Sequence, residues 1–125
     1  MAKLNGIGVK RTVVGAHYGF KDWLIQRITA VIMVIFTLVL LVGFFINPHN
    51  DVLYVQWSSL FSHPVMQILT FLTFASLCFH AWIGIRDIWM DYVKPVSIRL
   101  TLHILTILWL LGCIAYSAKI LWRFA

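Results

Sequence analysis

Three long apolar runs, separated by two polar breaks, set the pattern of this chain. The first covers about 24–46 and is interrupted early by Gln26 and Arg27. The second covers about 65–90, with its charges gathered at the end, and the third about 100–121. Each supplies the ~20 residues that an α-helix needs to cross ~30 Å of hydrocarbon. The runs are too long for strands and show no alternation of polar with apolar positions. The pattern predicts an all-α membrane protein of three transmembrane helices. It forms one membrane-anchor domain over 1–125, with a basic N-terminal segment of about 1–23 and a loop over 47–64.

Composition agrees with that reading. The 125 residues are 62% hydrophobic and 11% charged, with a mean hydropathy of +0.91. Soluble domains carry about 25% charged residues. A core of this size cannot hide so much apolar surface, so the excess faces lipid or other subunits. The N-terminal segment holds Lys3, Lys10, Arg11 and Lys21 without an apolar core, which argues against a cleaved signal peptide and for retention of the first span as an anchor. Its glycines, Gly6, Gly8, Gly15 and Gly19, argue against a long stable helix there. Cys78 and Cys113 lie within spans and read as small apolar fillers.

Charge gives the orientation. Lys3, Lys10, Arg11, Lys21 and Arg27 precede or open the first span, and Arg86, Lys94 and Arg99 flank the second break. Residues 47–64 contain no Lys or Arg, and the C-terminal end has only Lys119 and Arg123. The positive-inside rule then puts the N-terminus and the second break in the cytoplasm. The net charge of +6 is a topology signal and a source of attraction to anionic lipid. The charges form no single patch, which argues against nucleic acid as a partner.

Candidate chemistry concentrates in the second span. At helical spacing, Thr73, Ser76 or Leu77, His80, Gly84, Asp87 and Asp91 share one face, while Trp82, Ile85 and Trp89 point elsewhere. Small and polar residues on one face suit an intramembrane contact surface. His80 lies about 15 residues into the span, near mid-membrane. Its imidazole suits a haem iron or a hydrogen bond to a partner helix. A six-coordinate haem would need a second histidine. His103 and His63 are separated from His80 by depth, and His17 and His49 read as exposed. Arg27 either snorkels to the headgroups or holds a carboxylate such as a haem propionate. Pro95 stops the second helix near Val93. Tyr92, at that end, belongs to an aromatic belt or donates to a quinone carbonyl, with Asp91 or Arg86 tuning it.

The segments His80-Ala81-Trp82-Ile83-Gly84 and Asp91-Tyr92-Val93-Lys94-Pro95 resemble the hydrophobic membrane-anchor subunit of succinate dehydrogenase, respiratory complex II. Lys21-Asp22-Trp23-Leu24-Ile25-Gln26-Arg27-Ile28-Thr29-Ala30 is similar to that family's start of helix one. The companion anchor of such complexes carries a His-Arg-x-Ser-Gly motif there. Gln26-Arg27-Ile28-Thr29-Ala30 fits the hydrophobic anchor and not its companion. The resemblance implies that His80 is one axial ligand of haem b, the metal-binding residue, with the second ligand on the companion anchor. It implies that Arg27 contacts a haem propionate and that Tyr92, with Asp91 beside it, binds ubiquinone. It implies a subunit that is not catalytic alone, in a bacterial inner membrane, assembled with the companion anchor, an iron-sulfur subunit and a flavoprotein. In such a complex the flavoprotein oxidises succinate and electrons pass through iron-sulfur clusters to ubiquinone. The alternatives are a b-haem anchor of a quinol:fumarate reductase, and a structural or transporter subunit without haem.

Overall fold

The structure is a computed structural model that describes residues 15–46 and 53–123. Lys3, Lys10, Arg11, Asn47, Pro48 and His49 lie outside the described residues, as does the side chain of His17. Among the described residues four helices follow one another: α1 (Gly15–Ile46), α2 (Leu53–Ser62), α3 (Pro64–Tyr92) and α4 (Val96–Trp122). Three stretches are long and apolar enough to cross a membrane, Gly19–Ile46, Pro64–Tyr92 and Val96–Trp122. At 1.5 Å per residue each is about 40 Å long, so a ~30 Å hydrocarbon layer leaves room for tilt.

Two features differ from the sequence reading. Helix α1 begins at Gly15 and runs through Gly19, inside the segment expected to lack a long helix. A glycine costs only about 1 kcal/mol in a helix, and these positions extend a helix already nucleated by the span. The expected loop over 47–64 contains the ten-residue α2. The other breaks fall where local chemistry puts them. Pro64 opens α3, where its missing N–H costs nothing. Val93 is extended ahead of Lys94 and Pro95, and its N–H caps the Trp89 carbonyl. Pro95, also extended, precedes α4.

Helix α3 lies between α1 and α4, and among the described residues those two outer helices do not pack on each other. The three spans form a row and not a closed bundle, and α2 rests on α3. Of the eight buried residues among those described, five carry hydroxyls: Thr29, Thr70, Thr73, Ser76 and Ser117, beside Met66, Cys78 and Ile83. This inverts the pattern of a soluble core. Lipid is as apolar as leucine, so large side chains such as Leu38, Ile68 and Trp109 face outward, and small residues let the helices approach. Four of these hydroxyls bond to carbonyls of the preceding turn: Thr29 on Ile25 O at 2.7 Å, Thr70 on Met66 O at 2.7 Å, Thr73 on Leu69 O at 2.8 Å and Ser117 on Ile114 O at 2.8 Å.

On its other side α3 meets α4 through aromatic residues. Trp82 and His103 sit edge to face at 5.7 Å, and Trp89 Nε1 donates to Thr106 Oγ1 at 3.2 Å. Cys78 Sγ lies 3.9 Å from the Leu110 carbonyl, in keeping with a small filler.

Candidate functional site

Asp22, Gln26 and Thr29 recur at steps of four and three on α1 and therefore form one stripe. That stripe meets α3 antiparallel, and each residue finds a partner there. Asp22 accepts from Arg86 Nη2 at 2.5 Å. Gln26 Nε2 donates to the His80 carbonyl at 3.1 Å. Thr29 Oγ1 lies 3.1 Å from His80 Nδ1. Arg86 also donates to Asp87 at 3.2 Å. The N-terminal end of α1 and the C-terminal end of α3 are thus at one level, which brings Lys21, Arg86 and Lys94 to the same end of the row.

Beside this seam is an open cleft of about 910 Å³. His80 forms part of its lining, with Arg27, Gln26 and Trp23 from α1 and Ile83, Arg86 and Met90 from α3. Arg27 is exposed, and its guanidinium carbon lies 5.7 Å over the Trp23 ring. Such stacking leaves the N–H edges of the guanidinium available. His80 is half-buried, and with Nδ1 turned to Thr29 its Nε2 has no hydrogen-bond partner among the described residues.

His80 and Arg27 therefore open onto one cleft. Tyr92 and Asp91 do not line it. Tyr92 is 82% exposed at the end of α3, and twelve helical positions separate it from His80, about 18 Å of rise. Within the described residues the phenol has no walls, so a closed pocket around it requires groups outside these residues. His103 packs on Trp82, which is about 200° around α3 from His80 at ~100° per residue. The opposite faces of one helix keep His103 away from His80, more directly than depth does. Among the described residues no three His, Cys, Asp or Glu side chains gather as a metal site. An iron held by His80 would take its other axial ligand from outside these residues.

Sequence reasoning left three members of the seam without a role: Asp22, Gln26 and Thr29. It left Arg86 open as well. The available signal was the 22/26/29 spacing, together with opposite charges on Asp22 and Arg86 at the same expected depth.

Comparison with known proteins decides the family. The sequence profile of the succinate dehydrogenase/fumarate reductase transmembrane subunit matches residues 1–116. The chain belongs to that family. It is 41% identical over 104 residues to the succinate dehydrogenase hydrophobic membrane anchor subunit of Coxiella burnetii, covering 83% of this chain and 89% of that one. It is 30% identical over 91 residues to the subunit of the same name from Rickettsia typhi, covering 73% and 68%. Against that of Rickettsia bellii it is 30% identical over 109 residues, 86% of each chain. As a transmembrane subunit of this family the chain is a multi-pass membrane anchor, and the seam between α1 and α3 is part of that anchor.

Proposed function

We propose that this chain is the membrane anchor of a succinate:ubiquinone oxidoreductase in a bacterial inner membrane, with its N-terminus and the turn at 93–95 on the cytoplasmic side. It docks the iron-sulfur and flavoprotein subunits there and packs against a companion anchor subunit. The joint exposure of His80 and Arg27 on one cleft carries the haem part of this reading. The donor set fits the group: an imidazole with a free ring nitrogen, and a guanidinium suited to a carboxylate. His80 would hold the iron of haem b through Nε2, with a further ligand from the companion subunit. Arg27 would hold a propionate by charge-assisted hydrogen bonds. When bound, haem b would supply a one-electron store.

Tyr92 acts at the cytoplasmic end. Its hydroxyl donates to one carbonyl of ubiquinone and orients the ring, with Asp91 beside it. Donation to an oxygen that gains charge on reduction favours the reduced state more than the oxidised one. The neighbouring subunits enclose the phenol and exclude water.

Succinate-to-ubiquinone reductase activity, measured on a mild-detergent preparation purified through a tag on this chain, tests the proposal. Co-purifying activity together with a b-haem spectrum is expected. A lipid-supplemented preparation in which the chain arrives alone, without haem, would favour a structural or transporter role. The matched family also includes fumarate reductase subunits, so the ratio of succinate-oxidising to fumarate-reducing rates separates those two directions.

A further inference from the structure

A hydroxyl carries one proton, and Thr29 has three uses for it. Its Oγ1 lies 2.7 Å from the Ile25 carbonyl one turn back, 3.2 Å from the Gln26 carbonyl and 3.1 Å from His80 Nδ1. The shortest contact takes the proton. Other threonines of these helices do the same: Thr37 on Met33 O, Thr70 on Met66 O and Thr106 on Leu102 O, all within 2.8 Å. Thr29 is also buried, with a relative exposure of 6%. The Thr29 oxygen is left as an acceptor. A hydrogen bond to it then requires a proton on Nδ1, and in a ring that ligates iron this leaves the lone pair on Nε2.

We infer that Thr29 is a positioning residue that sets the tautomer and ring orientation of His80, so that Nε2 is the nitrogen presented to the cleft. This rests on the haem reading above. Ligating histidines need their remote N–H held by an acceptor, which fixes the ring and raises its basicity. Usually that acceptor is a carboxylate, a carbonyl or water. Here it is a hydroxyl on the adjacent helix, itself pinned by Ile25. Gln26 holds the backbone of the same histidine through its carbonyl, so α1 fixes His80 at two points.

The test uses the whole complex, purified with Thr29→Val, Thr29→Ala or Thr29→Ser in this chain. Val keeps the shape and loses the hydroxyl; Ser keeps the hydroxyl and loses the methyl. Ala provides the same test without β-branching should Val disturb assembly. The readouts are haem retention, the haem midpoint potential and the low-spin EPR g values. Loss of the acceptor makes the imidazole a poorer donor, which disfavours the ferric state. Val and Ala are expected to shift the potential upward, to move the g values, and to weaken haem retention by roughly 10- to 100-fold, with Ser close to the wild type. Wild-type potential and g values in both Val and Ala would overturn the inference while leaving His80 as ligand. So would a Ser variant that behaves like Val. A b-haem spectrum unchanged by His80→Ala would overturn the haem reading itself, and this inference with it.

Discussion

Arg86 on α3 closes onto Asp22 on α1 at 2.5 Å, an ion pair that ties the first and second spans together at their charged end. Both side chains are partly exposed, 27% and 34%, so the pair is screened, and its share of stability is about 1 kcal/mol. Asp22→Asn is expected to lower the thermal stability of the complex by that amount. The swapped double variant, Asp22→Arg with Arg86→Asp, is expected to recover most of it. Thermal inactivation of the detergent-solubilised complex gives the double-mutant cycle, and no coupling between the two positions would show that the pair contributes nothing.

His80→Ala is expected to remove or strongly alter the b-haem spectrum, while succinate oxidation by an artificial dye continues at the soluble subunits. Arg27→Gln removes a positive charge that favours the reduced haem, so the midpoint potential is expected to fall. Redox titration monitored by absorbance measures both. An unchanged potential in Arg27→Gln would assign Arg27 to the headgroups.

Tyr92→Phe deletes one hydroxyl and little else. A hydrogen bond to an oxygen gaining charge is worth about 1.5–3 kcal/mol, which is roughly 10- to 150-fold in rate. Ubiquinone reduction is expected to drop by that factor with dye reduction intact. Equal loss of both activities would count against a quinone role for the phenol.

Gly84 offers a steric test of the seam. A Cβ there would sit 3.9 Å from Gln26 Nε2, an ordinary contact. Gly84→Ala is therefore expected to change stability by less than about 1 kcal/mol, with some gain from helix propensity. Gly84→Leu drives Gln26 off the His80 carbonyl and separates α1 from α3, and haem retention is expected to fall. Haem content of the two purified complexes distinguishes them, and equal content would mean that the seam yields without consequence.

The spans were legible because apolar length alone identifies a membrane helix, and His80 and Arg27 because a charge or imidazole within such a run is costly. Trp82 and Trp89 were separable from the His80 face by counting ~100° per residue. Thr29 was invisible for the opposite reason. A threonine in a membrane helix is cheap, and its importance depends on interhelical register, which sequence periodicity does not encode. Helix α2 escaped because ten residues mixing Ser, Gln, Trp and Leu carry too little periodic signal, and its stability comes from resting on α3.

Because α1 and α4, among the described residues, meet only through α3, a disturbance in α4, at Thr106 or Leu110, reaches α1 only by moving α3. The seam of Asp22, Gln26 and Thr29 lies behind it. Drift in the third span is thereby insulated from the histidine, and that span is free to vary with its lipid and protein neighbours.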